Sequence, residues 1–382
     1  MNIAFLSLWS CPLTPIGVGS SGGMSIYILN FARELAKLDV KVDIYTHSHK
    51  KQKHEIISLH KNLRIIHLSN TKLDFAHNKY DILYSHYYLS GLAGLKISAK
   101  TKIPLFHTYH TLAKMKEIYA GIKDEKRFVQ ELEIVKKTKI IIASNELEKQ
   151  DLQKFYNVPP SKIFIVQPGV NHHLFKKRNL QIARKRLDLP PDKKIILFIG
   201  RIDPLKGIKL LIDSFILLHH INPALLNKCL LLLIGGDKNN PAIWQSKDMN
   251  RINKLLNDHN FNSSVRFIGA KSHSSLPYYY AAANVVSIPS SYESFGLVAL
   301  EAMACAKIVV ATSVGGLRYL IKNGETGFLF DKGNKEKLAY LLNMLLCDNR
   351  YSYIGENAYQ FSQKFSWNKQ AKKLFMLFKK YS

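Results

Sequence analysis

Apolar and polar residues alternate along this chain in two patterns. Short, nearly unbroken apolar runs are separated by longer stretches in which apolar residues recur every three or four positions. "NIAFLSL", "VKVDIYT", "LRIIHL", "DILYSH", "IPLFHT" and "TKIIIAS" are runs of the first kind. They predict strands buried on both faces, as in parallel sheets covered by helices. Between the first two lies "GGMSIYILNFARELAKL", where Met24, Ile28, Phe31, Leu35 and Leu38 share one helix face. A second series opens near residue 194 with "KIILFIG", "CLLLLIGG", "VRFIGA", "NVVSIPS" and "KIVVAT". Between the two series, "QPGVNHHLFKKRN" has the proline, glycine and polar content of a linker. The pattern predicts an α/β protein with two doubly wound, Rossmann-like domains, 1–173 and 174–365, facing a cleft at the carboxyl ends of their strands. The terminal stretch 366–382 reads as a basic amphipathic helix. Its Leu374, Phe375, Leu377 and Phe378 need cover, which the first domain is expected to supply.

Composition narrows the class. A chain of 382 residues with 47% hydrophobic content supports two large cores and excludes a disordered protein. No apolar run is long enough to span a bilayer, and "MNIAFLSLWS" reads as a first strand, not a signal peptide. Cys11, Cys229, Cys305 and Cys347 lie far apart, without metal-ligand spacing, as expected of reduced thiols in a cytoplasmic protein. The formal net charge of +27 points to an anionic partner: a phosphorylated substrate, an acidic membrane or a nucleic acid. The lysines form no long block, so a dispersed basic background accounts for the charge equally well.

Three glycine-rich turns follow predicted strands. They are "GSSGGMS" with Gly22 and Gly23, "GRIDPLKG" with Arg201 and Lys206, and "IPSSYESFG" with Glu293. Free N–H groups at a helix start bind phosphate well, although a glycine at such a junction is more often only a tight connection. Arg201 and Lys206 suit a departing diphosphate, and a solvated basic loop is the plainer alternative. Glu301, inside the apolar helix "LVALEAMA", requires hydrogen-bond partners, which ribose hydroxyls would provide. Glu293 precedes that helix and can reach sugar hydroxyls. The N–H groups of Phe295, Gly296 and Leu297 lie between the two acids. An acid at a helix start and one satisfied buried acid would leave the same pattern.

These motifs together resemble glycosyltransferase family 4, retaining enzymes of GT-B fold. "ESFGLVALE" resembles its E-x7-E motif, "GRIDPLKG" its basic turn and "PGVNHHLF" its inter-domain segment. "DILYSHYYLSG", "PLFHTYHTLAKMK" and "FSW" also have counterparts, so the likeness covers nearly the whole chain. It is greatest to the branch of sucrose-phosphate synthases and inositol-phosphate N-acetylglucosaminyltransferases. The resemblance implies that Arg201 and Lys206 bind the donor diphosphate, Glu301 the ribose and Glu293 the transferred sugar. It implies that Gly22 and Gly23 present N–H groups, and that His110 sits beside the anomeric region. Tyr87, Thr111 and Arg127 would meet an acceptor phosphate. Departures are Ser25 for asparagine, Ala306 for glycine, Ile308 for proline, and a short segment around Lys72 in place of a longer insertion.

The expectation is therefore a retaining glycosyltransferase in which the acceptor attacks from the front face and the leaving phosphate accepts its proton. Its donor is a nucleotide sugar, a UDP-sugar above others, and its acceptor is phosphorylated. A lipid-linked or polysaccharide acceptor at the membrane surface is the alternative. No cofactor or metal is expected, because no Asp-x-Asp pair occurs and two cations stand where a metal would neutralise the diphosphate. The stretch from Lys114 to Arg127, with Met115, Ile118, Tyr119 and the following Phe128, is a candidate for peripheral docking on the inner face of an anionic membrane. A nucleic-acid partner is not expected, since neither stacking aromatics nor a binding module accompanies the charge. The intact Glu293, Glu301, Arg201 and Lys206 argue against a scaffold without catalysis.

Overall fold

The computed structural model describes residues 1–14, 21–47, 55–68, 79–237 and 240–382. The chain forms two α/β units. One takes Met1–Thr14, Gly23–Gly169 and Phe365–Ser382, and the other takes Val170–Lys364 and, of the described residues before Gly23, Ser21 and Gly22. The division thus falls at Gly169, slightly before the expected 173. The segment read as a linker is packed, with Val170 and Phe175 buried.

The first sheet contains β1 (Asn2–Ser7), β2 (Lys41–His47), β3 (Glu55–His60), β4 (Leu63–Leu68), β5 (Ile82–His86), β6 (Leu105–Thr108), β7 (Ile140–Ala143) and β8 (Ile163–Ile165). Their order is β3-β4-β2-β1-β5-β6-β7-β8. Every neighbouring pair is parallel except β3 with β4. Ile3, Ala4, Phe5 and Leu6 of β1 are inaccessible to solvent, as the unbroken apolar run requires. Helices α1 (Gly23–Ala36), α2 (Tyr87–Thr101), α3 (Ala113–Ala120) and α4 (Glu125–Lys137) belong to this unit. In α4, Asp124 accepts the Arg127 N–H at 3.0 Å and so caps the first turn. Lys136 and Lys137 stand in the last turn, where the helix dipole favours cations.

The terminal helix Trp367–Tyr381 packs in the same unit. The Trp367 ring lies 5.2 Å from Phe31, and Phe378 lies 5.0 Å from Phe106. Leu374 and Phe378 are inaccessible, while Phe375 and Leu377 are half-buried. Gly169 approaches this helix closely, for a Cβ there would sit 2.3 Å from the Trp367 nitrogen. The chain therefore leaves the first unit and returns to it at one place.

The second sheet contains β9 (Lys194–Ile199), β10 (Cys229–Ile234), β11 (Val265–Phe267), β12 (Val285–Ile288), β13 (Ile308–Thr312) and β14 (Phe328–Phe330). It is parallel throughout, in the order β11-β10-β9-β12-β13-β14. Phe198, Leu211, Phe215, Leu231, Leu233 and Leu342 anchor its core. The helix Leu297–Ala304 follows β12 and carries Glu301, as the sequence predicts.

That helix ends in a left-handed turn. The N–H groups of Ala306 and Lys307 return to the carbonyls of Met303 and Ala302 at 2.9 and 3.0 Å. Ala306 itself has φ of 56°. This gives the departure from glycine at this position a physical meaning, since a Cβ in the left-handed region costs about 1–2 kcal/mol. The larger unfolded-state entropy of glycine offsets part of the relief. Ala306→Gly is expected to stabilise the protein by about 0.5–1 kcal/mol, read as a rise in the urea unfolding midpoint.

Candidate active site

In the second unit, β9 and β12 are neighbours where the strand order reverses, which makes their carboxyl ends a natural crevice. The loops there meet backbone to backbone. Gly207, at φ 71°, lies so close to Pro289 that a Cβ would be 2.0 Å from its carbonyl oxygen. Gly235, at φ 144°, lies likewise against the Gly200 carbonyl, at 1.7 Å. After β13, Gly316 donates its N–H to the Glu293 carbonyl at 2.8 Å. A Cβ on Gly315 would come within 2.0 Å of that same oxygen.

This closeness brings the loop side chains together. Lys206 Nζ lies 2.5 Å from Glu293 Oε1, and Ser290 Oγ donates to the same oxygen at 3.0 Å. Both side chains of the ion pair keep about a fifth of their surface accessible, 23% and 18%. Arg201 pairs with Asp203 at 3.0 Å. Beyond Glu293, Gly296 at φ 96° starts the helix Leu297–Ala304, with Phe295 just before it.

Glu301 is buried, and its oxygens already have protein partners. Oε1 lies 2.6 Å from His273 Nε2, and Oε2 accepts from the Tyr280 hydroxyl at 2.9 Å. Burial holds the Tyr280 hydroxyl far above its usual range, so it remains a donor. The ribose is therefore not needed to satisfy this carboxylate. Each oxygen keeps acceptor capacity beyond its one bond. Phe175 backs the pair, its ring 4.9 Å from His273 and 5.9 Å from Tyr280.

In the first unit the strand order reverses between β1 and β5. His86 ends β5, and His110 follows β6 with φ of 61°. Their nitrogens Nδ1 and Nε2 lie 3.1 Å apart. His107 Nδ1 lies 2.8 Å from Ser85 Oγ. Burial holds His107 and His110 down to about 3, and His86 well below its ordinary value. All three are neutral near pH 7.

Tyr87, at φ 70°, opens α2 and meets Arg127 of α4. Arg127 is buried and donates Nε–H to Glu131 Oε1 at 2.7 Å. Its Nη1 donates to the Tyr87 hydroxyl at 3.1 Å, and its Nη2 to the Thr111 hydroxyl at 3.1 Å and to the Thr111 carbonyl. The guanidinium lies over the Tyr87 ring at 4.7 Å. Glu131 Oε2 accepts from Tyr156 at 2.6 Å and from the Ala113 N–H at 2.9 Å. Burial pushes the Glu131 carboxyl up, and Arg127 opposes the shift.

Gly23 begins α1, and Gly22 faces open space, with nothing within 4 Å of a Cβ built there. Gly19, Ser20 and Lys72 lie outside the described residues. The stretch from Lys114 to Arg127 is less basic in the fold than in the sequence. Lys114 pairs with Glu117, Lys123 with Glu125 and Arg127 with Glu131. Met115 is core and Phe128 is half-buried, whereas Ile118, Ile122 and Val129 are exposed. No helix among the described residues is long and apolar enough to cross a membrane.

Known proteins are similar to this chain over nearly its whole length. Residues 21–174 match Glycosyltransferase Family 4, and residues 180–361 match Glycosyl transferases group 1. The chain is 33% identical to a D-inositol 3-phosphate glycosyltransferase of Corynebacterium glutamicum, over 99% of this chain and 96% of that protein. The chain belongs to glycosyltransferase family 4. Among solved structures, the transferase superposes on the sucrose-phosphate synthase of Thermosynechococcus elongatus with a TM-score of 0.90 and 29% identity, over 99% and 98% of the two chains. It shares its fold with Anabaena HepE, at a TM-score of 0.80 and 18% identity over the full length of both chains. The architecture is GT-B, with two Rossmann-like units.

Sequence reasoning missed several residues that shape these sites. Glu131 stands one helical turn after Arg127, a spacing that signals an ion pair. Gly315 and Gly316 form a glycine pair directly after an apolar run, which marks a close backbone approach. His273, Tyr280 and Phe175 are far from Glu301 in sequence, and no local signal marks them.

The neutral histidines of the transferase couple its stability to pH. The unfolded chain takes up protons near the ordinary value of 6.5, while folded His86, His107 and His110 refuse them. Their contribution is complete above pH 6.5 and is lost as pH falls toward the folded values. Each depressed histidine steepens the loss by up to about 1.4 kcal/mol per pH unit. Urea midpoints measured from pH 7 to 5 should fall, and His107→Gln should flatten that slope.

Proposed function

We propose that this transferase moves a sugar from a UDP-sugar to a hydroxyl of a phosphorylated acceptor, retaining the anomeric configuration and using no metal ion. One observation carries the acceptor class. The hydroxyl oxygens of Tyr87 and Thr111 both accept from Arg127. Their own protons are therefore free to point at an anion, with a guanidinium directly behind them. Burial keeps the Tyr87 hydroxyl above its ordinary value, so it remains a donor. The names of two relatives agree with this chemistry, inositol 3-phosphate in one and sucrose phosphate in the other.

On the donor side, Arg201 and Lys206 would take up the charge of the departing diphosphate, helped by the N–H groups of Gly296 and Leu297. Lys206 is held by Glu293 in the free enzyme. When it turns to phosphate, Glu293 is released for the sugar hydroxyls. The bond from anomeric carbon to diphosphate oxygen breaks. A bond to the acceptor oxygen forms on the same face, and the acceptor proton passes to the leaving phosphate. Glu301 would meet the ribose, Gly22 and Gly23 the phosphates, and His110 the transferred sugar.

Transfer should persist in EDTA, and Lys206→Ala and Glu301→Gln should abolish it while circular dichroism shows the fold intact. Turnover near the wild-type rate in either variant would refute the donor assignment. Arg127→Ala is a poor probe of the acceptor, because it would strand a buried Glu131 carboxylate at a cost of about 3–5 kcal/mol. Tyr87→Phe and Thr111→Val are better. With inositol phosphate and free inositol as paired acceptors, each should raise the phosphorylated acceptor's KM about tenfold, from the loss of roughly 1.5 kcal/mol, and leave the donor KM unchanged. Equal use of the two acceptors would exclude phosphate recognition and favour a neutral glycan or lipid-linked acceptor.

A further inference from the structure

His86 has no role in the reading above, yet it is the residue in closest polar contact with His110. It is inaccessible to solvent and enclosed by aromatic rings. Phe5 lies 5.2 Å away, Tyr27 5.8 Å and Tyr84 4.3 Å, measured between ring centroids. Its Nδ1 meets His110 Nε2 at 3.1 Å, and its Nε2 has no hydrogen-bond partner among the described residues. The Tyr27 ring also stands edge-on to His110, at 4.9 Å. His110 is thus gripped through one ring nitrogen, on a backbone in the left-handed region at φ 61°. Strain of this kind persists only where surrounding contacts enforce it.

A neutral imidazole carries one proton on one nitrogen. If His86 carried it on Nε2, a buried N–H would be left without an acceptor, and orphaned buried N–H groups are rare. The alternative places it on Nδ1, where it is donated to His110 Nε2. His110, also neutral, must then carry its own proton on Nδ1. We infer that His86 is a positioning residue that fixes His110 as the Nδ1–H tautomer, so that His110 offers an N–H donor, not an acceptor, to a hydroxyl oxygen of the transferred sugar. The inference rests on the reading that places His110 at the sugar. It adds the atom of His110 that acts and the residue that sets its protonation. The uncharged state of both rings, held by desolvation, agrees with it.

Two measurements on the full chain test the pair. In protein labelled with 15N-histidine, long-range proton–nitrogen correlation spectra at neutral pH report which ring nitrogen carries hydrogen. The His110 signals are assigned by their disappearance in His110→Asn. The expected result is a protonated Nδ1 and a bare Nε2, and a protonated His110 Nε2 overturns the inference. This reading requires no substrate. The second measurement is turnover of UDP-glucose. His86→Leu should lower kcat about tenfold or more and leave the donor KM nearly unchanged. His86→Asn, whose amide nitrogen falls close to the position of Nδ1, should restore most of the rate. A dead His110→Asn beside a fully active His86→Leu defeats the inference alone. A fully active His110→Asn defeats the placement of His110 at the sugar, and the positioning role with it.

Discussion

The close approach of backbone to backbone at the carboxyl edge of the second sheet is the constraint on which the donor-side chemistry depends. Four loops, those after β9, β10, β12 and β13, share that edge, and the points where they touch leave no room for a side chain. Gly207 rests on the Pro289 carbonyl, Gly235 on that of Gly200, and Gly315 on that of Glu293. Left-handed or otherwise restricted backbone at these glycines lets the loops close to hydrogen-bond range. The Lys206–Glu293 ion pair is a consequence of that packing. Its two members come from different loops, and nothing but the shared edge brings them within 2.5 Å.

The first unit solves a different problem, which is how to keep polar chemistry inside an aromatic interior. Among the described residues, the Arg127–Glu131 ion pair and the neutral imidazoles of His86, His107 and His110 show how. Arg127 is balanced by Glu131, and the remaining lone pairs of Glu131 are met by Tyr156 and the Ala113 N–H. A buried pair with this many partners avoids most of the penalty that isolated buried charges suffer. The histidines avoid it by shedding their protons. The net charge of +27 therefore says little about the site, whose basic groups are paired or neutral.

Much of the architecture was legible because fully buried parallel strands leave unbroken apolar runs. β11 is three residues with Arg266 exposed and is legible only as part of the longer run "VRFIGA", whereas β1, β2, β4 to β7, β9, β10, β12 and β13 carry that signature. β3 does not, since it lies at the sheet edge with most of its residues exposed and pairs antiparallel. β8 and β14 are three residues each, too short for any periodicity. Motifs in the sequence singled out Glu293, Glu301, Arg201 and Lys206 as candidates, but not what each touches. A motif fixes residue type and local spacing, whereas the His273 and Tyr280 bonds to Glu301 depend on tertiary packing. Arg127 shows the same limit from the other side. Its charge was plain, but a fork already engaged by Tyr87, Thr111 and Glu131 was not.

The place where Gly169 lies against Trp367 also bears on the order in which the protein is made. The segment Val170–Lys364, which makes up nearly all of the second unit, runs between two neighbouring points of the first, so a ribosome finishes it before it releases the segment that completes the earlier half. Until the helix Trp367–Tyr381 emerges, Phe31 and Phe106 lack the side chains that cover them. Domains generally fold as units during synthesis. Here the unit translated first is the one that must wait, with exposed aromatic surface, while the one translated second can close. A nascent chain of this kind is most vulnerable to aggregation in its amino-terminal half, late in translation.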